Sequence, residues 1–354
     1  MDTSELDYGL PEAAVAQHPA EPRDAARLFV PILDGADRHR HVSDLPSLVE
    51  PGTVVVLNDT RVLPARVAVR RPGSSDGEVL LLEAASDGWW EALCRPSRKL
   101  REGSVVHAVV GDLAFELGAT LDDGRRMVRP VHQGDLLAAL DVSGVVPLPP
   151  YVHERLDDPE RYQTVFARVP GSVAAPTAGL HLTPAVLDRL RDVGAELHRV
   201  ELVVGLDTFR PISTTRVEDH VIHSEQYTVP PSTWDAVTAA RDDGRPVLAV
   251  GTTTVRSLES MATTGAPSGR TSLFITPGDR FAVVDRLLTN FHLPRSSLLA
   301  LIEAFTGPVW RDLYGEALAA GYRFLSFGDA MLLDRAEVEV DATATRSVEE
   351  EEPA

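Results

Sequence analysis

The texture of the chain changes twice, and that change constrains its fold more than any single motif. Between about residues 67 and 142, short alternating apolar and polar segments recur at 79–83, 89–94, 104–109, 113–117 and 127–131. Gly, Asp and Pro turns separate them. A period of two marks strands with one buried face. Spacing of roughly ten residues leaves no room for crossover helices, so these segments predict a small antiparallel β-barrel. One short helical stretch, 134–141, interrupts them. Outside this region the texture differs. Residues 53–57, TVVVL, read as a buried strand. After Tyr151, strands at 196–204, 246–250, 287–288 and 322–326 alternate with helices at 184–193, 232–243, 254–262, 296–305 and 309–320. Such alternation predicts a mixed, largely parallel sheet flanked by helices. The chain thus reads as a discontinuous α/β domain, 1–60 and 148–335, with an inserted barrel domain at 61–147. Residues 1–50 are a lead-in of little periodicity. The acid-rich stretch 336–354 has no aromatic residue and reads as a disordered tail.

Composition narrows the class. The 354 residues are 44% hydrophobic and 25% charged, values of a soluble globular protein. No apolar run is long enough to span a membrane. The first residues, MDTSELD, are acidic where a signal peptide would be basic and apolar. Cys94 is the only cysteine, so neither an intrachain disulfide nor a cysteine metal cluster is available. These features predict a cytoplasmic location without membrane contact. The net charge is −19; the segment 336–354 supplies seven acids and one Arg, and the remainder still stands at −13. Nucleic-acid binding then requires a local basic patch. One exists in sequence: Arg61, Arg66, Arg70, Arg71, Arg95, Arg98, Lys99 and Arg101 face five acids between 61 and 101.

The residues able to do chemistry gather at predicted strand ends. The stretch 171–183, GSVAAPTAGLHLT, is a run of small side chains with one imidazole, His181. Thr183 and Pro184 read as the cap and first residue of a helix, so the run feeds a helix N-terminus, which favours anionic or electron-rich ligand atoms. The segment 251–257, GTTTVRS, repeats the layout of strand, glycine and hydroxyl loop, but lacks the Lys and spacing of a P-loop. Its hydroxyls suit a ribose or carboxylate, or simply cap a helix. The segment 220–225, HVIHSE, places His220 and His223 near Glu225 without the HExxH pattern of a helical zinc site. An acid–base role for His223 or Glu225 suits it better than a metal. Segments 58–66, 289–294 and 322–331 add Asn58, Asp59, Arg61, Asn290, His292 and Asp329. Together these segments predict one cleft ringed by loops on one sheet edge.

The runs at 57–66, 95–100, 147–151, 161–165, 171–182, 220–225, 249–257, 284–293 and 322–331, in this order, resemble the S-adenosylmethionine:tRNA ribosyltransferase-isomerase family of queuosine biosynthesis. The resemblance implies an α/β domain carrying an inserted β-barrel. It implies transfer and isomerisation of the ribosyl moiety of S-adenosylmethionine onto 7-aminomethyl-7-deazaguanine in a tRNA anticodon, with release of adenine and methionine. It implies no metal or cofactor beyond S-adenosylmethionine as donor, and a monomer is expected. On that reading His181, His223 and Asp329 are the catalytic candidates. Asn58, Asp59, Arg61, Ala175, Pro176, Thr177, Gly179, Gly251, Thr252, Thr253, Arg256, Asn290 and His292 are candidates to hold the donor. Arg66, Arg95, Arg98 and Lys99 are candidates to hold RNA. The sequence also departs from the family pattern. Val203 stands in place of a histidine and Asp207 in place of a glycine, with Thr276 and Glu303 also unusual. With the charge of −19, these departures keep two alternatives open: a small nucleoside or deazapurine acceptor, and a non-catalytic S-adenosylmethionine-binding protein.

Overall fold

The computed structural model describes residues 1–70, 77–96, 100–121, 124–205 and 211–336. Arg71, Arg98, Lys99, Asp207 and the acidic stretch beyond Ala336 lie outside the described residues.

In chain order the strands are β1 (Arg27–Phe29), β2 (His39–His41), β3 (Val54–Asn58), β4 (Thr60–Val62), β5 (Arg66–Arg70), β6 (Gly77–Ala84), β7 (Trp90–Arg95), β8 (Val105–Ala108), β9 (Ala114–Thr120), β10 (Arg126–Val131), β11 (Gly144–Val145), β12 (Val169–Ser172), β13 (Glu196–Leu202), β14 (Glu225–Thr228), β15 (Val247–Val250), β16 (Ser268–Thr271), β17 (Arg286–Asn290) and β18 (Ala330–Asp334). The α-helices are α1 (Leu136–Ser143), α2 (Pro184–Asp192), α3 (Pro231–Asp242), α4 (Thr252–Thr264), α5 (Ser297–Thr306) and α6 (Trp310–Ala319).

Nine strands form the main sheet, in the order β16-β14-β13-β3-β15-β17-β18-β1-β2. Its centre, β13-β3-β15-β17, is parallel, and both edges are antiparallel. This is the predicted mixed sheet. The central strands are buried on both faces, which is why VVVL shows no polar alternation. The period of two survives in the cores: Val54 and Val56 face one apolar cluster, Val55 and Leu57 the other. β15 divides the same way, Val247 and Ala249 against Leu248 and Val250. Helices α3 to α6 cover the first face through residues such as Val237, Leu258, Phe305 and Trp310; α2 covers the second through Val186, Leu187 and Leu190. Each such buried aliphatic side chain contributes roughly 1.5–3 kcal/mol.

The second sheet closes on itself. β5 pairs with both β6 and β8, giving a six-stranded antiparallel barrel β5-β6-β7-β10-β9-β8. Val67, Val69, Leu81, Phe115, Leu117 and Val128 fill it, and Leu140 of α1 packs into the same core. The chain leaves through β11, which pairs with β5 at Gly144↔Val67. A Cβ on Gly144 would stand 1.9 Å from the Pro64 carbonyl oxygen, so only glycine lets the exit strand lie that close.

Two sequence expectations are corrected. The lead-in 1–50 supplies β1 and β2, which extend the main sheet; three-residue strands are too short to display a period. The expected strand at 322–326 is a folded loop instead, and the strand falls at 330–334. Leu325 has φ of 68°, and Asp329 folds the loop by accepting the Arg323 N–H at 2.8 Å. A Cβ on Gly328 would lie 2.3 Å from the Arg323 carbonyl oxygen, which fixes the tight return.

Candidate active site

The carboxyl ends of β15 and β17 run into Gly251 and Phe291, and there a narrow inner cleft opens. Ala175, Pro176 and Thr177 wall one side; Gly251, Thr252 and Thr253 another; Thr289, Asn290 and His292 the floor; Tyr151, Val204, Leu298, Leu325 and Ser326 also border it. The small-residue run reaches this position because its start is zipped onto Val204. The Val173 and Ala174 N–H groups donate to the Val204 carbonyl at 3.1 and 3.3 Å, and the Val204 N–H donates to Ser172 Oγ at 2.8 Å.

The helix start that faces the cleft is that of α4, not of α2. Thr183 caps α2 by accepting the Val186 N–H at 3.2 Å and donates its hydroxyl to Asp24 at 3.0 Å, so that end is satisfied away from the cleft. α4 begins at Gly251, whose φ of 88° suits glycine, and no side chain caps it. Its threonines are otherwise engaged: Thr254 donates to the Val250 carbonyl at 2.7 Å, and Thr253 Oγ1 accepts from Asn58 Nδ2 at 3.2 Å. The simple capping reading of the three threonines is therefore replaced.

Asn290 organises the floor. Its Oδ1 accepts the Thr177 hydroxyl at 3.0 Å, and its Nδ2 donates to His181 Nε2 at 2.8 Å and to the Leu325 carbonyl at 3.2 Å. An acceptor Nε2 fixes His181 as the Nδ1–H tautomer. Burial pulls the His181 pKa down to about 4, against an upward pull from Asp329; Arg323 and Arg23 lower it further. Burial also lowers His292 to about 3, and its Nε2 lies 3.0 Å from Thr289 Oγ1. Both imidazoles are neutral at pH 7.

Other predicted residues stand around the cleft rather than in it. His181 lies behind Asn290. Gly179 serves packing, since a Cβ there would lie 2.7 Å from Phe166 Cζ. Asn58 spends its amide on the Leu202 backbone and Thr253. Asp59 turns to Arg168 and Arg199, at 2.9 and 3.7 Å. Asp329 lines no part of the cleft; its oxygens accept the Arg27 and Arg323 backbone N–H groups at 3.0 and 2.8 Å. Arg61 is paired with Glu160 at 2.5 Å and Arg66 with Glu78 at 3.5 Å; Arg95 is exposed at the end of β7.

A larger outer pocket, about 1510 Å³ of open space, lies between the barrel and the main sheet. Leu82, Glu83 and Arg125 come from the barrel; Val203, His220, His223, Glu225, Arg256 and Phe274 face them. Leu298 lines both spaces. The barrel is pinned there by the Arg270–Glu83 pair, with an Nη2–Oε2 distance of 3.1 Å, and by Arg125, which donates to His223 Nδ1 at 3.1 Å and pairs with Glu91 at 3.0 Å. Arg256 and Glu225 form an ion pair, with side chains only 7% and 8% exposed. Glu225 Oε1 also accepts the Gly205 N–H at 2.8 Å. Among the described residues no three His, Cys, Asp or Glu side chains cluster as a metal site.

Sequence reasoning does not single out Tyr151, Thr289, Ser326 or the barrel's Glu83 and Arg125. Tyr151 and Ser326 fall within the recurring runs and are joined by a 2.7 Å hydrogen bond. Glu83 and Arg125 carry no local signal, because only the docking of the barrel brings them to the pocket.

Residues 3–333 match the family described as queuosine biosynthesis protein. The chain belongs to this family. Its relatives include proteins named S-adenosylmethionine:tRNA ribosyltransferase-isomerase. That of Moorella thermoacetica is 48% identical over 94% of this chain and 100% of its own length. That of Thermus thermophilus is 48% identical over 92% of this chain and 98% of its own. A crystal structure of the S-adenosylmethionine tRNA ribosyltransferase of Thermotoga maritima is 35% identical, covering 93% of this chain and 99% of that one, with a TM-score of 0.53. As a member of the queuosine biosynthesis family the chain is an enzyme.

Proposed function

We propose that the enzyme transfers and isomerises the ribosyl group of S-adenosylmethionine onto 7-aminomethyl-7-deazaguanine in a tRNA anticodon, giving epoxyqueuosine-tRNA and releasing adenine and methionine. It would act as a cytoplasmic monomer needing no metal. The observation that carries this reading is the inner cleft: a hydroxyl-bearing helix start, a neutral Asn–His floor and a small-residue wall, all at the carboxyl ends of parallel strands. The relatives' names supply the reaction class.

The chemistry asks for three things. A base takes a proton from C5′, which the adjacent sulfonium acidifies. Adenine departs, helped by a donor near a ring nitrogen. The acceptor amine is held against the opening ribose, where orientation supplies several kcal/mol. His292 lines the cleft as a neutral imidazole that can hydrogen-bond to the donor, but the burial that lowers its pKa to about 3 makes it a weak proton acceptor. His181 acts at one remove: by holding Asn290 it sets which atoms of that amide meet the donor. His223 stands in the outer pocket, toward the side from which a large acceptor would approach.

A second reading, a small deazapurine acceptor, is favoured by one observation: Arg61 and Arg66 of the basic stretch are already committed to Glu160 and Glu78. The test is incubation with S-adenosylmethionine and either an anticodon stem-loop carrying the aminomethyl base or the free base, following adenine by chromatography. Adenine release that depends on the stem-loop is expected. Release with the free base alone moves the second reading to first place, and no release with either sinks both.

A further inference from the structure

The two spaces of the site are joined by one helix face. Thr252 and Thr253 of α4 line the inner cleft, and Arg256 lines the outer pocket. Residues three and four apart share a face of a helix, about one turn or 5–6 Å along the axis. Val203 of the outer pocket is followed directly by Val204 of the inner cleft, and Leu298 borders both. Where the two linings meet stand the apolar Val203, Val204 and Leu298, with Ser296 and Ser297 beside them.

The outer end carries an unsolved problem of hydrogen bonding. Arg256 is buried, and three of its groups have distinct fates. Nε donates to the Leu273 carbonyl at 3.1 Å, and Nη1 is taken by Glu225. Nη2 is buried and has no hydrogen-bond partner among the described residues. A guanidinium cannot shed its charge, and a buried donor left unpaired costs about 1–3 kcal/mol. Glu225 fixes the plane of the guanidinium, so the unpaired nitrogen is held in one orientation rather than free to rotate toward water. The surroundings hold both signs of charge, with Arg125 and Arg256 near Glu83, Asp219 and Glu225. That mixture suits a zwitterion better than a simple anion.

We infer that the Arg256 end of the outer pocket is the subsite for the α-amino-acid head of the donor, with the carboxylate accepting from Arg256 Nη2 once a small shift of the pocket wall uncovers that buried nitrogen. This rests on the reading of the donor as S-adenosylmethionine. The nucleoside lies in the inner cleft against Thr252 and Thr253, the sulfonium-bearing chain passes Val204 and Leu298 where the two spaces meet, and the head reaches Arg256 one helical turn on. Arg61, the other arginine among the candidates to hold the donor, is paired with Glu160 and lines neither space. Glu225 is a positioning residue, since it acts through Arg256.

The test is calorimetry of the unmodified protein with S-adenosylmethionine and with its decarboxylated analogue, which keeps the sulfonium, the nucleoside and the amine. Charge-assisted hydrogen bonds predict roughly ten- to hundredfold tighter binding of the intact donor. Equal affinities overturn the inference but leave the donor reading standing. Binding of neither overturns both. Arg256→Lys keeps the charge but loses the planar fork, so it is expected to weaken S-adenosylmethionine and leave the analogue nearly unchanged. Equal weakening of both would overturn the inference.

Discussion

The inner cleft and the outer pocket solve opposite electrostatic problems. At the inner cleft the polar groups are neutral and serve one another: Thr177 and Asn290 of its lining, His181 behind them and the Leu325 carbonyl form one chain of hydrogen bonds. The charged Arg256, Glu225, Glu83 and Arg125 of the outer pocket are held in pairs, Arg256 with Glu225, Glu83 with the nearby Arg270, and Arg125 with the nearby Glu91. Burial explains the split. A lone imidazole deep in the protein stays neutral because charging it is costly, whereas a guanidinium stays charged and must be given a carboxylate. The inner cleft thus suits an uncharged nucleoside, and the outer pocket suits charged ends. It also follows that the two spaces fail differently when perturbed.

The largest effect is expected on turnover from the inner cleft. His181→Ala removes the acceptor that holds Asn290, and single-turnover adenine release is expected to fall about 10²-fold, the cost of a misplaced cleft group, while donor affinity changes less than about tenfold. Unchanged turnover would reduce the imidazole to a wall. The outer pocket responds instead in stability. Glu225→Ala leaves the buried Arg256 charge unpaired, and denaturant unfolding is expected to show a loss of about 3–5 kcal/mol. A loss below about 1 kcal/mol would mean that the pair behaves like a surface one and that the contrast between the two spaces is overstated.

Acid separates them further. His181 and His292 have folded-state values of about 4 and about 3, well below the ordinary imidazole value of about 6.5. Because folding lowers them, the unfolded chain binds protons first; their stabilising share is complete above about pH 6.5 and is lost as pH falls through the folded values. Between pH 7 and pH 5 each histidine is expected to cost about 2 kcal/mol of unfolding free energy. His181→Gln should flatten that dependence, and an unaltered pH profile would show that the imidazole is not kept neutral by burial.

The smallest effects belong to the basic stretch between 61 and 101. Changing Arg95, Arg98 and Lys99 together to Ala is expected to lower the salt slope of stem-loop binding by about 0.7–0.9 for each phosphate the patch no longer neutralises, leaving S-adenosylmethionine affinity alone. Identical slopes would move the RNA surface elsewhere on the barrel. Arg61→Ala breaks a pair whose partners are 38% and 62% exposed, so a stability change under about 1 kcal/mol is expected.

Much of this architecture is written locally. The β-branched run in β3, the Thr183–Pro184 start of α2 and the ten-residue rhythm of the barrel strands each follow from short-range rules of burial, capping and alternation. The same rules gather Thr177, Gly251, Thr252, Thr253, Asn290 and His292 at strand ends, where the structure brings them into one cleft. Local rules fail where the deciding partner is distant. β1 and β2 are strands only because the sheet edge at β18 is there to pair with. Asp329 reads as an exposed ligand but is consumed by the backbone of Arg27, some 300 residues away in sequence. Asp59 likewise meets Arg168 and Arg199. By itself the sequence determined the two textures and the chemistry available at each strand end, because periodicity and side-chain type act within a few residues. Only the tertiary structure decided which polar groups satisfy one another and which, like Arg256 Nη2, are left for something else, because a buried hydrogen bond depends on whatever the fold brings within about 3 Å.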